Sequence, residues 1–165
     1  MALEIERKFL VKGDAYKNIA FSNSHIMQGY ICGHPTVRIR IRDDKGYLTI
    51  KGGSHDGGLT RYEFETEVPL DDAIAMMRLC QRGIVDKTRW LVRMDDGHTF
   101  EVDEFHGDNQ GLVVAEVELA RDDEPFDRPA FLGNEVTGIK RYYNSNLRTH
   151  PFSVWSDEEI TGKEV

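Results

Sequence analysis

The chain has 165 residues, with 21 Lys and Arg against 29 Asp and Glu, for a formal net charge of −8. That length fits one domain, and a hydrophobic fraction of 39% suffices for one real core and excludes a disordered chain. The acidic balance argues against general nucleic-acid binding, which needs a basic surplus.

Period-2 alternation of apolar and charged residues dominates the chain and predicts strands. Leu3 to Val11 is apolar at 3, 5, 9 and 11, with Glu4, Glu6 and Lys8 opposite. Asp14 to Phe21 is a short amphipathic segment, and a weaker strand containing Tyr30 is expected around Ile26 to Ile31. Thr36 to Arg42 (TVRIRIR) sets Val37, Ile39 and Ile41 against Arg38, Arg40 and Arg42, and Tyr47 to Lys51 sets Leu48 and Ile50 against Thr49 and Lys51. Thr60 to Val68 opposes Tyr62, Phe64 and Val68 to Arg61, Glu63, Glu65 and Glu67. Leu70 to Arg82 carries Asp71 and Asp72 at its start, then Ile74, Met77, Leu79 and Cys80 at near-helical spacing.

Ile84 to Arg93 puts Lys87, Arg89 and Arg93 opposite Thr88, Trp90 and Val92. Thr99 to Phe105 opposes Glu101 and Asp103 to Phe100 and Val102. Val113 to Leu119 opposes Glu116 and Glu118 to Val113, Ala115, Val117 and Leu119. Arg128 to Asn146 holds Pro129, which suits a helix start, and a break at Gly138. Residues 156–165 read as a flexible acidic tail after a domain spanning 1–155. Glycine- and Asp-rich turns separate the strands, and those before 60, 98 and 112 are short enough for antiparallel hairpins.

Charged Glu4, Glu6, Arg7 and Lys8 with no apolar run behind them exclude a signal-peptide core, and no stretch approaches the ~18 apolar residues of a membrane span. A soluble, cytoplasmic protein is expected. Cys32 and Cys80 make no metal-type spacing, so reduced, buried thiols are expected. The six histidines show no H-x-H or HExxH spacing, adjacency of Ser54, His55 and Asp56 makes no triad, and Gly52, Gly53, Gly57 and Gly58 lack the G-K-[ST] ending of a P-loop.

An open antiparallel sheet with its charged faces in water fits this alternation. Two details favour something else. The charged faces are almost purely Arg, Lys and Glu, and the signs segregate by strand: Glu4/Glu6, Glu63/Glu65 and Glu116/Glu118 against Arg38/Arg40 and Lys87/Arg89. An E-x-E pair places two carboxylates on one face about 7 Å apart, close enough to share a cation, and R-x-R at the same spacing fits neighbouring phosphoryl groups. About eight strands can close into a barrel with these faces inside and the apolar faces outside under helices. Burying so many charges for stability alone makes poor sense, since desolvation cancels most of the pairing gain; a wet tunnel for a metal–polyphosphate accounts for them.

EIERKFLV supplies the E-x-E-x-K signature of the CYTH superfamily, the triphosphate tunnel metalloenzymes, and TVRIRIR, YLTIKGG, TRYEFETEV, DKTRWLV, FEVDEFHG and VVAEVEL follow in the family's order. The chain resembles that family from Glu4 to about Leu147, and most resembles its small bacterial inorganic triphosphatases. The resemblance implies a mainly β fold: a closed eight-stranded antiparallel tunnel with a charged interior and a few flanking helices, binding a small-molecule triphosphate with Mg²⁺ or Mn²⁺. It places Glu4, Glu6, Glu116 and Glu118 at metal, and Glu63 and Glu65 near a second metal or the attacking water. Lys8, Arg38, Arg40, Lys51, Arg61, Lys87 and Arg89 match its phosphate-binding residues, with Lys8 and Lys51 also stabilising charge during cleavage. Arg42, Arg93, Glu67, Glu101 and Asp103 match less well and fit tunnel-mouth or structural ion pairs. Tyr30 fits core or tunnel wall, and Lys140, expected in a helix near the tunnel, fits phosphate contact or surface. The implied reaction is metal-dependent cleavage of inorganic triphosphate to pyrophosphate and phosphate. A class IV-type adenylate cyclase, a thiamine or nucleoside triphosphatase, and a non-catalytic polyphosphate-binding module are the alternatives.

Overall fold

The structure is a computed structural model, and it describes residues 3–54, 56–80 and 83–161. Eight strands form one antiparallel barrel: β1 (Leu3–Val11), β2 (Ser22–Gly33), β3 (Thr36–Arg42), β4 (Lys45–Ser54), β5 (Thr60–Val68), β6 (Val85–Arg93), β7 (Thr99–Phe105) and β8 (Val113–Glu118). The order β5-β4-β3-β2-β6-β7-β8-β1 closes through a β1–β5 pairing, Leu3 opposite Tyr62 and Glu4 opposite Arg61. Closure leaves one side of each strand facing inward, and the alternation puts the charged side there. α1 (Tyr16–Ile19) and α2 (Leu70–Met77) lie outside.

The register explains why closure needs a ninth strand. β1 pairs with β5 only over residues 3–5; from Phe9 to Val11 the same edge pairs instead with β9 (Leu132–Glu135). The expected helix over 128–146 does not form. Its residues instead satisfy the free edge of β1, anchored by Arg7, whose guanidinium donates to Glu135 at 2.9 and 2.5 Å. The chain then makes a tight turn at Lys140–Tyr142 and a four-residue α3 (Asn144–Leu147).

Two apolar clusters hold the barrel. Phe9, Phe100, Val102, Ala115 and Val117 on the outer face of β1, β7 and β8 pack with Tyr16 and Phe131; burial of each large side chain stabilises by roughly 1.5–3 kcal/mol. The second cluster lies partly on the inner face. Val85, Phe105 and Val114 share the inward parity of Lys87, Asp103 and Glu116, and they pack against Val136, Tyr142, Leu147 and Trp155. The C-terminal segment therefore stops one side of one barrel end with apolar side chains.

Several expectations are corrected here. Cys32 is exposed and Cys80 half-buried. Tyr62 and Phe64 face outward as their parity requires, yet both stay exposed, because α2 packs on β2, β3 and β4, where Ala73 meets Gly46, rather than on β5. β2 is a full twelve-residue strand. α2 ends at Met77, and Gln81 and Arg82 of the longer expected helix lie outside the described residues. In the expected tail, Ser156 and Glu159 form a reciprocal capping box on α4 (Asp157–Ile160), while 162–165 lie outside the described residues.

Candidate active site

Strand parity sends Glu4, Glu6 and Lys8 from β1 into the barrel, and the antiparallel register sets Glu6 opposite Glu118 and Lys8 opposite Glu116. Glu116 in turn lies opposite Glu101 on β7. Lys51 joins the group from β4, its ammonium 3.0 Å from Glu4 and 3.9 Å from Glu63. Lys8 reaches Glu116 at 3.4 Å and donates to the Tyr142 carbonyl oxygen at 3.4 Å.

These carboxylates perturb one another. Burial, then the charges of Glu116 and Glu4, drives the Glu6 carboxyl well above its ordinary range. Burial acts the same way on Glu116, but Lys8, a hydrogen bond from Glu6, and Arg89 overcome it and hold Glu116 well below that range. Glu6 and Glu116 are thus driven in opposite directions. Burial also raises Glu118, and Glu4, Glu63 and Glu101 add to the shift. In Glu4, Lys51 outweighs burial and keeps the group ionised. Glu63 is raised by burial despite Lys51. Oxygen donors that repel one another in this way lack a positive charge, which is the environment a hard divalent cation relieves.

The opposite wall is cationic, and much of it is held by uncharged groups. Arg38 donates to the Thr49 hydroxyl at 3.2 Å, and that hydroxyl donates to Glu65 at 3.0 Å. Arg40 donates to the Gln28 side-chain oxygen at 3.0 Å, and the Gln28 amide donates to Tyr30 Oη at 2.8 Å. With no carboxylate in direct contact, burial and the charges of Arg38 and Arg89 push Arg40 down to about 9. Arg89 is clamped through Nε and Nη2 onto Asp103 at 2.8 and 2.9 Å and reaches Glu101 at 2.8 Å. Lys87, fully buried, donates to Asp103 at 2.7 Å and to the Asn144 side-chain oxygen at 2.9 Å. Burial, with Arg89 and Arg40 nearby, brings its ammonium down to about 7 despite the ion pair.

The thirteen residues singled out as metal, phosphate or catalytic groups all line one tunnel of about 220 Å³. Arg42 and Glu101 line it as well, whereas Glu67 pairs outside with Lys45 at 3.8 Å and the Arg93 guanidinium lies over the Phe21 ring at 5.4 Å. Asp103 acts from behind, positioning Arg89 and Lys87. Tyr30 is wall. Lys140 sits on a tight turn, exposed, facing a second cavity.

Sequence reasoning did not single out Gln28, Tyr143, Asn144 and Ser145. Gln28 could have been found, as the one amide on the inward parity of β2 opposite Arg40. The other three follow no strand period and come in only because the chain folds back over the barrel end. Ser54 Oγ bonds to Asp56 at 2.9 Å within its turn, and His55 lies outside the described residues.

A family model described as the CYTH domain matches residues 2–146. An inorganic triphosphatase of Acetivibrio thermocellus is 45% identical over 155 residues, 92% of this chain and 97% of that protein. An inorganic triphosphatase of Nitrosomonas europaea is 33% identical over 150 residues, 87% of this chain and 95% of its own. The crystal structure of the inorganic triphosphatase NE1496 superposes with a TM-score of 0.61 at 29% identity, covering 90% of this chain and 95% of that one. The Hippeastrum protein HpAC1 superposes at 0.57 with 14% identity over 98% and 97% of the two chains, a likeness of fold alone.

Proposed function

The chain belongs to the CYTH domain family, and from that premise we propose that it is a metal-dependent triphosphatase cleaving inorganic triphosphate to pyrophosphate and phosphate. The single observation that carries this reading is the two-sided tunnel: Glu4, Glu6, Glu116 and Glu118, which repel one another, line it together with the buried cations Lys8, Arg38, Arg40, Lys51 and Lys87. A magnesium or manganese triphosphate offers a cation to the first set and phosphate oxygens to the second.

Glu4, Glu6, Glu116 and Glu118 are the residues that would hold the cation. Their donors are all oxygen, as Mg²⁺ requires, and Mg²⁺ usually takes only one or two carboxylates and completes its shell with phosphate and water. When bound, it neutralises phosphate oxygens and makes the terminal phosphorus more open to attack. The rest of the work belongs to the chain. Arg38, Arg40 and Arg61 bind and align the phosphates, and alignment accounts for most of the barrier reduction in phosphoryl transfer. Lys8 and Lys51 stabilise charge on the transferred and leaving groups. Glu63, its pKa already raised, sits beside Glu65 near the open side, where it can orient water and accept its proton.

Substrate choice follows from what the wall lacks. Trp90 and Tyr62 point outward, and the tunnel's Tyr143 ring already faces Lys8 and Arg61 at 5.4 and 5.6 Å. Among the described residues that line the tunnel, a nucleoside gains no free stacking platform. The expected kcat/KM for inorganic triphosphate is at least about tenfold above ATP, roughly 1.4 kcal/mol of preference. Phosphate release from triphosphate, ATP and thiamine triphosphate with Mg²⁺ or Mn²⁺ measures this. Equal efficiency on ATP, or a cyclic nucleotide product, overturns the reading in favour of a nucleotide-directed enzyme.

A further inference from the structure

The antiparallel topology gives the tunnel two chemically opposite ends. One end is built from the start of β3, the end of β4, the start of β5 and the returning segment 138–149. A cavity of about 840 Å³ opens there, continuous with the tunnel through Thr36, Lys51 and Arg61. Its wall carries Lys140 and Arg148, with Lys51 and Arg61 at the junction, which also face Glu4 in the tunnel at 3.0 and 3.9 Å; the wall has no Asp or Glu among the described residues. Arg148 lies over the Tyr30 ring at 5.3 Å and donates to the Ser145 carbonyl oxygen. The one acid of the adjoining glycine-rich turn, Asp56, is turned into that turn by Thr60 N–H at 2.7 Å and Ser54 at 2.9 Å.

The other end is acidic. It is formed by the end of β5, the start of β7 and the end of β8, which bring Glu65, Glu67, Glu101 and Glu118 to the rim. Side chains of Glu65, Glu67 and Glu101 are 41%, 58% and 38% exposed. Two cations stand among them: Arg42 donates to Tyr47 Oη at 2.7 Å, and Lys45 pairs with Glu67 at 3.8 Å, so acids outnumber cations at this rim.

We propose that the cationic cavity is an anion vestibule, the end through which the polyanion enters the tunnel, with Lys140 a steering residue. This rests on the function proposed above only for the identity of the polyanion. A chain of net charge −8 repels a polyanion at long range, so productive encounters concentrate where the local field is reversed. Within a Debye length of about 8 Å at physiological salt, the vestibule attracts and the opposite rim repels.

Three charge changes separate the ends. Lys140→Glu removes a steering cation, and Gly53→Glu adds an acid where an added Cβ meets nothing within 4 Å. Lys45→Glu makes the same charge change as Lys140→Glu, at the acidic rim. At about 50 mM salt, Lys140→Glu and Gly53→Glu should lower kcat/KM for inorganic triphosphate about tenfold with kcat within about twofold of wild type. At about 0.5 M salt the loss should shrink below about threefold, since screening removes steering but not a structural defect. Lys45→Glu should stay within about twofold throughout. Association rates of triphosphate measured in chelator should show the same pattern, so the vestibule is tested even if the wild-type protein binds triphosphate without cleaving it. Loss in Lys45→Glu with none in Lys140→Glu places entry at the other end and overturns the proposal. So does a loss in Lys140→Glu that salt does not relieve.

Discussion

Arg38 and Arg40 are held ready rather than neutralised. Thr49 and Gln28 orient them with neutral groups, and Glu65 stands 3.8 Å from Arg38, beyond hydrogen-bond distance, so each guanidinium keeps most of its charge for a ligand. Arg38→Ala should therefore raise KM for triphosphate steeply, losing a charge-assisted contact worth about 1.5–3 kcal/mol, with a much smaller change in folding stability. A KM within twofold of wild type in steady-state kinetics means Arg38 makes no phosphate contact. The arginines and glutamates themselves were legible, because strand parity alone forces R-x-R and E-x-E to one face. Their orienting partners were harder to read: a lone Gln or Thr on a strand carries no charge signal, and its role depends on which strand becomes its neighbour. Val85, Phe105 and Val114 show the same limit in reverse. Apolar residues at inward positions make sense only once Tyr142, Leu147 and Trp155 arrive from distant sequence to meet them.

At the level of elements, the hairpin between β6 and β7 is fastened to the 120–127 loop by His98. Its ring bonds Glu124 through Nε2 and lies 2.9 Å from Asp96 through Nδ1. The Glu124 bond, then Asp96, raises the His98 pKa above 6.5. Asp96, against the opposing effect of desolvation, is drawn down to about 2 by the backbone N–H groups of His98 and Asp127, and Glu124 is lowered by His98. A His pKa raised by folding stabilises fully below the unfolded value and loses that contribution as pH rises through the folded one. The carboxylates contribute above their unfolded values and lose that as pH falls. The fastening is strongest between about pH 4.5 and 6.5. Thermal melts of wild type and His98→Gln should differ most in that window and converge toward pH 9; a gap independent of pH contradicts the assignment.

The other fastening at this scale is backbone on backbone. Gly138, at φ +76°, lies so close to Gly57 that an added Cβ would run into the Gly57 carbonyl oxygen. Gly138→Ala should cost more than about 1 kcal/mol and lower the melting midpoint by a few degrees; an unchanged midpoint means the segment is not seated there. Most strands were legible to within a residue or two because alternation is a local signal. β9 was not. Leu132–Glu135 has no pattern of its own and becomes a strand because β1 runs past β5 and leaves an edge to fill.

Over the whole molecule, a barrel turned inside out in charge reconciles a net −8 with an interior for polyanions. Lys8, Arg38, Arg40, Lys51 and Lys87 are all buried, and the acids that give the chain its surplus occupy one tunnel wall, one rim and the outer surface. Such an interior is a stability cost that function offsets. Glu118 tests that trade most directly: it stands exposed at the rim, yet partial desolvation together with Glu4, Glu63 and Glu101 already disfavours its ionised form. Glu118→Gln keeps the shape and removes one repelled charge. The measurement is phosphate release from inorganic triphosphate at saturating Mg²⁺ or Mn²⁺, paired with the melting midpoint in chelator. Metal-dependent release by the wild-type protein is expected, with a loss of at least about a hundredfold in the variant and a midpoint no lower than wild type. Undiminished release by Glu118→Gln, or none from the wild-type protein with either metal, contradicts this expectation.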